Sequence, residues 1–323
     1  MKKSIFAASL TFAMMCGNVS KGATPRFEKV SDHCYYMQIQ EGFNVAAVIT
    51  DEGILIVDPP QEPSLSVVVE GLKRITPKSV RWVVFTDYRF SHTGGARVFA
   101  EQGAQVLASA RLRALSMAAS GTDSPNSGGS PGGIFSFPWL TFDHQMHLFP
   151  ANLEIRITAL ENKARTGSDV VVYVPAEKVL FVGNLYEAAR YPDIDTAAEG
   201  SALGWIDGLK QVVDSVPVLK PAIPPAKPAP LKPEPKLEPE KTLEELIMVV
   251  SAHRVASNLQ NMKDLLEACQ KLRRDALRAV KAGRSSDSFL ASPGADPYRA
   301  YDNLAPYVGQ LFEDIAAAAD RNR

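Results

Sequence analysis

Hydrophobic positions along the chain come in short runs before they come in long ones. Three β-prone runs at 35–39, 44–49 and 54–57 follow one another, and Asp51-Glu52-Gly53 separates the last two. An acidic and glycine turn between apolar runs predicts a hairpin. Asp58-Pro59-Pro60 stops the third run, and helical spacing takes over across 65–75. Residues 80–85 are apolar but for Arg81 and are expected as a strand covered on both faces. Gly94-Gly95, a short helix at 97–101 and a strand at 105–108 complete a βαβ unit, and a further helix is expected over 110–119.

The stretch 120–133 is rich in Gly, Ser and Pro and predicts a loop. β character returns across 135–149, at 153–160 and in the pair 169–174 and 179–181, and a short helix carrying Trp205 is expected at 203–213. Nine of the 23 prolines fall between Pro217 and Pro239, interleaved with Lys220, Lys227, Lys232 and Lys236. Proline at that density removes ladder donors and favours polyproline II. A buried-type strand at 246–250 leads to Ser251-Ala252-His253-Arg254. Ser257 to Gln260 then fits a capping box before Leu259, Met262, Leu266, Cys269, Leu272, Ala276 and Val280 recur at helical spacing. A last helix is expected over 307–319.

Composition narrows the function classes. The 323 residues are 46% hydrophobic and 22% charged, enough for a full core, and 35 basic against 36 acidic residues exclude the basic excess of a dedicated nucleic-acid binder. The N-terminus changes the picture more. Lys2 and Lys3, an apolar run at 5–15 and a small, polar stretch ending near Gly22 have the order of a secretory signal peptide, which predicts a periplasmic or secreted protein. That run is about half the ~20 residues of a bilayer span, so no transmembrane anchor is expected. Cys16 follows the run as a lipoprotein cysteine would, but Ala13, Met14 and Met15 make a poor lipobox. Cys34 and Cys269 remain after cleavage, expected as two buried thiols in a compartment that permits pairing.

The residues now become familiar. The run from Phe43-Asn44-Val45 through Ile54-Leu55-Ile56-Val57-Asp58 resembles the opening strands of metallo-β-lactamase fold hydrolases, as do Val83-Val84-Phe85-Thr86 and Ser91-His92-Thr93-Gly94-Gly95. The likeness continues through Arg165-Thr166-Gly167-Ser168-Asp169, Phe181-Val182-Gly183-Asn184 and Ser251-Ala252-His253-Arg254, and is greatest to the exported branch associated with quinoprotein relay and sulfur oxidation. It implies an α/β (α+β) fold, a four-layer αββα metallo-β-lactamase-like sandwich over 23–323 after a signal peptide at 1–22. On that reading 217–241 is a Pro/Lys-rich insertion within one domain.

The same resemblance removes most of the family's chemistry. Where the family places zinc ligands after the buried strand, the chain has Asp87, Arg89, Ser91 and His92; Arg165 replaces the next histidine and Asn184 the bridging carboxylate. Only His92 and His253 keep ligand identity. A guanidinium has no lone pair to give, so the first metal position is lost. The second keeps two histidines with Ser91 and Asn184 nearby, where one zinc or iron ion would bind loosely; no cofactor is the leading expectation, with His92 and His253 as hydrogen-bonded relict histidines.

Two arginines near a cleft call for negative charge, either from Asp87 in a closed network or from a small anionic ligand. The leading functional expectation is a non-catalytic binding or accessory protein with an anion-accepting pocket of Asp87, Arg89, Ser91, His92, Arg165, Asn184 and His253. One alternative is a mononuclear hydrolase using His92 and His253 with Asp87 as base or extra ligand. The other is a scaffold that meets a protein partner through 217–239. Asp58 is expected to cap its strand end, and His144 and His147 to lie at the surface.

Overall fold

Parity along one strand shows how the layers are arranged. In the computed structural model, which describes residues 25–39, 42–119, 139–216, 242, 246–253 and 256–321, all five residues of Val170–Val174 are buried. Val170, Val172 and Val174 join one hydrophobic cluster, while Val171 and Tyr173 join another. Successive side chains of a strand point to opposite faces, so this strand is covered on both sides.

Two sheets result. The first runs β1 (Glu28–Lys29), β2 (Cys34–Gln38), β3 (Asn44–Thr50), β4 (Gly53–Val57), β5 (Val80–Val84), β6 (Gln105–Ser109) and β7 (Trp139–Phe142) in that spatial order. Its first four strands form an antiparallel meander, and β4 to β7 are parallel. The predicted hairpin joins β3 to β4, with Thr50 paired to Gly53. The second sheet runs β13 (Ser257–Asn258), β12 (Met248–Ser251), β11 (Val179–Gly183), β10 (Val170–Val174), β9 (Ile155–Ala159) and β8 (Gln145–Leu148), with β11 and β12 its parallel pair.

One cluster fills the space between the sheets and continues to α1 (Ser64–Ile75), α3 (Ala96–Glu101) and α4 (Ala110–Ala119), through Leu65, Val68, Phe99 and Leu112. The other lies beneath α5 (Ala202–Ser215), α6 (Leu259–Lys281), α7 (Ser286–Leu290) and α8 (Leu304–Asp320). Helices, sheet, sheet, helices is the predicted four-layer sandwich. Trp205 sits at its second core with no exposed surface and donates Nε1–H to the Leu185 carbonyl at 2.7 Å.

Local differences have simple causes. Asn258 caps α6: its side chain accepts from the Asn261 amide at 2.9 Å, one residue later than the expected Ser257 cap. Both residues pair in β13, and the Ser257 hydroxyl donates to the Tyr186 hydroxyl at 3.4 Å instead of capping. Cys34 and Cys269 are buried free thiols in different clusters, and burial pushes the Cys34 thiol up to about 12. No helix among the described residues is long and apolar enough to cross a membrane. The loop at 120–133, the insertion at 217–241 and the leader at 1–22 lie outside the described residues.

Candidate functional site

Parallel neighbours end at the same edge of a sheet, so the segments leaving them converge there. Asp58 follows β4, Asp87 to His92 follow β5, Asn184 follows β11 and His253 follows β12, while Arg165 comes from the β9–β10 connection. Backbone bonds tie the two sheets at this edge: Val170 N–H donates to the Thr86 carbonyl at 3.1 Å, and Phe43 bridges His253.

Asp58 has more than a strand-capping role. Its Oδ1 accepts the Thr86 amide at 2.7 Å and its Oδ2 accepts the Thr86 hydroxyl, while His92 Nδ1 stands 3.1 Å from Oδ2. That last approach is an ion-pair distance without hydrogen-bond alignment, since Nδ1 makes no hydrogen bond among the described residues. The arrangement depends on Gly183, whose φ is +53° and where a Cβ would stand 1.9 Å from Thr86 Oγ1. Only glycine tolerates both that angle and that approach.

Asp87 is the hub. It has no exposed surface, and its Oδ2 accepts from Arg89 Nη1 at 3.1 Å, Arg165 Nη1 at 3.1 Å and Asn184 Nδ2 at 2.9 Å. Its Oδ1 accepts the Arg89 amide at 3.1 Å. Burial pushes this carboxyl up, but the charges of Arg89 and Arg165, with the Asn184 bond, outweigh it and hold it at about 2. Arg89 also donates Nη2–H to Asp195 Oδ2 at 2.9 Å, where the Tyr88 hydroxyl donates at 3.0 Å. Two guanidinium groups thus meet two carboxylates in a self-neutralised chain, buried at Asp87 and Arg165 and half-buried at Arg89 and Asp195.

Asn184 fixes the orientation of His92. Its amide nitrogen faces both Asp87 Oδ2 at 2.9 Å and His92 Nε2 at 2.8 Å. Turning the amide over would bring its oxygen against the Asp87 carboxylate, so the nitrogen donates to both and Nε2 of His92 must accept. The atom that would face a metal is therefore already engaged. His253 is separate: its Nδ1 lies 3.2 Å from the Gly42 carbonyl, and burial pushes its imidazole below its ordinary value. The Phe43 ring packs edge-on against His92 at 4.5 Å and tilted against His253 at 6.2 Å. The expected His–His hydrogen bond is replaced by these separate partners.

Ser91 does not join the site. It is exposed on the four-residue helix α2 (Phe90–Thr93), about 100° around from buried His92. His147 lies on the edge strand β8, with Nδ1 2.9 Å from Glu154 Oε1. Among the described residues no group of three or more His, Cys, Asp or Glu is placed to hold a metal ion. The donor set explains why: Arg89 and Arg165 stand where the sequence resemblance expects ligands and have no lone pair to give, Asp87 is saturated by N–H donors, and His92 faces an amide. The residues present do not fit the family's dinuclear centre.

Beside this network opens a cleft of about 320 Å³, lined by Arg165, Asn184, Glu187, Arg190, Asp193 and His253 among others. Asp195, Arg190 and Asp193 were not evident in the sequence. They come from a Pro-containing loop without periodicity, and the one clue to Asp195 was the charge imbalance of two arginines facing one Asp87. Asp169 is a further buried carboxyl. Burial and the Asp87 charge push it up to about 7, against the Thr166 amide that donates to it at 2.7 Å.

Solved structures place this fold among known proteins. The chain is similar to a metallo-β-lactamase from Pontibacter korlensis, at 17% identity and a TM-score of 0.55 over 76% of this chain and 99% of that one. It is similar to a stereoselective inverting sec-alkylsulfatase from Pseudomonas sp., at 13% identity and a TM-score of 0.63 over 90% of this chain, spanning half the length of that enzyme. A third is a metallo-β-lactamase from Pseudomonas aeruginosa in its mono-zinc form, at 16% identity and a TM-score of 0.53 over 77% of this chain and 96% of that one. No protein-family model matches the chain, and no curated protein does. The fold is the metallo-β-lactamase sandwich.

Proposed function

We propose that this metallo-β-lactamase fold works as an exported, non-catalytic binding protein whose cleft takes a small ligand with an anionic group against Arg165. The observation that carries the reading is Asp87 bound by both Arg89 and Arg165 where the related hydrolases assemble their first metal. Hydrolysis by that route needs a metal-bound hydroxide. Asp87 does not replace it as a base, because a carboxyl held at about 2 and surrounded by N–H donors has little affinity for a proton.

The anion contact narrows from two arginines to one. Arg89 is engaged at both ends by Asp87 and Asp195, whereas the one side-chain hydrogen bond of Arg165 among the described residues is Nη1 to Asp87. Arg165 also lines the cleft, so its remaining N–H groups are the donors offered to a ligand.

Elemental analysis of protein purified without chelator tests the first half, with substoichiometric zinc and iron expected. One equivalent of either metal, lost in His92→Ala together with esterase or lactamase turnover, would establish the mononuclear hydrolase instead. The second half is tested by thermal shift with acetate and phosphate. An anion-dependent rise in melting temperature is expected in the wild type and its loss in Arg165→Ala; equal behaviour of the two proteins would end the anion reading.

A further inference from the structure

The cleft carries two kinds of charge, and its balance constrains what fits. Its inner wall is Arg165, bonded by Nη1 to Asp87, and Asn184, whose amide nitrogen is committed to Asp87 and His92 and whose Oδ1 remains as an acceptor. Its rim is Glu187, Arg190 and Asp193, with Arg190 held between the carboxylates at 3.3 Å from Glu187 and 2.8 Å from Asp193. Among the described residues, Arg165 and Arg190 therefore face Glu187 and Asp193. A bare anion or dianion entering the cleft would meet these carboxylates as well as the guanidinium groups.

The rim is also fixed in place. Asn303, in the left-handed region at φ 64°, donates from Nδ2 to the Tyr191 carbonyl at 3.2 Å and to Asp193 Oδ1 at 2.8 Å. The Tyr191 amide donates to the Asp302 carbonyl at 3.0 Å, which binds the rim loop to the segment entering α8. A carboxylate has about four lone-pair directions, so Asp193 can accept another donor beside Arg190 and Asn303.

Building on the binding reading above, we infer that the ligand is a zwitterion of the α-amino-acid class. Its carboxylate meets the Arg165 guanidinium, and its ammonium lies between Asn184 Oδ1 and the Glu187 and Asp193 carboxylates. The ligand's opposite charges then match those of the wall and the rim among the described lining residues. A volume of about 320 Å³ leaves room for a side chain beyond the two charged groups.

The test is calorimetric titration of the full chain with the free α-amino acids, their N-acetyl derivatives, which lack the ammonium, and their amides, which lack the carboxylate. At least one free amino acid is expected to bind at least tenfold more tightly than both of its derivatives. Arg165→Gln should erase the preference over the amide, and Glu187→Gln or Asp193→Asn the preference over the N-acetyl form, with thermal melting confirming that each variant is folded. Equal or tighter binding of N-acetyl amino acids or inorganic phosphate, still dependent on Arg165, would overturn the zwitterion and leave the anion pocket standing. If no free amino acid binds, the inference fails; if no anion binds and Arg165→Gln changes nothing, the binding reading fails with it.

Discussion

Asp87 and Asp169 are buried carboxyls shifted in opposite directions, and they give the folded state a two-sided dependence on pH. Asp87 sits at about 2, below its ordinary 3.8, so its contribution is present above that ordinary value and lost as pH falls through 2. Asp169 sits at about 7, so between roughly pH 4 and 7 the folded chain keeps a proton that the unfolded chain has released, and stability falls as pH rises across that window. Urea midpoints measured against pH should therefore decline from pH 4 to 7 in the wild type and stay level in Asp169→Asn. Asp87→Asn removes the shared counter-charge of Arg89 and Arg165 and is expected to cost about 3 kcal/mol in the same assay. At this scale the sequence is partly legible. The exchange of zinc ligands for Asp87, Arg89 and Arg165 can be read from motif positions, and so can the choice between a closed ion network and an external anion. Asp195 cannot, because its partner Arg89 is 106 residues away and no local pattern marks a side chain that acts only through tertiary approach.

Elements were more legible than contacts, and the reason is periodicity. Strands β3, β4, β5, β10 and β11 and helices α1, α5, α6 and α8 each bury a face or a whole run, so their patterns survive in the sequence. Short pieces leave no such trace. The two-residue strands β1 and β13 and the five-residue helix α7 are held by neighbours, and the cap sits at Asn258 while the Ser257 hydroxyl turns to Tyr186. The cap is a further test: Asn258→Ala should lower stability by about 1 kcal/mol, as removal of a bond to an otherwise orphaned helix amide does elsewhere. Gly183 belongs to the same scale, since it ends β11 against Thr86. Gly183→Ala would drive a methyl group into Thr86 and through it disturb Asp58, with an expected loss of about 1–3 kcal/mol by denaturant unfolding.

For the whole molecule, the two sheets and their helices form a frame shared with two metallo-β-lactamases and a sec-alkylsulfatase at 13–17% identity, and Asp87, Arg89 and Arg165 stand together at one edge of it. Both flanks of residues 217–241 are anchored on their own account, with Val216 and Ile247 buried in the helical core. Replacing 219–239 by a short Gly/Ser stretch is accordingly expected to leave the melting temperature within a few degrees, and an accompanying loss of partner capture would favour the scaffold alternative. The ion network has a consequence of its own at this scale. Where a metal joins loops, the free energy of unfolding rises with the logarithm of free metal in the surroundings, because binding stabilises by mass action. Here the charges joining β5, β9–β10 and β11 among the described residues are carried by the chain itself. On the non-catalytic reading nothing has to be loaded for this cross-link to hold, and the melting temperature is expected to be the same in a metal-starved medium as in a rich one.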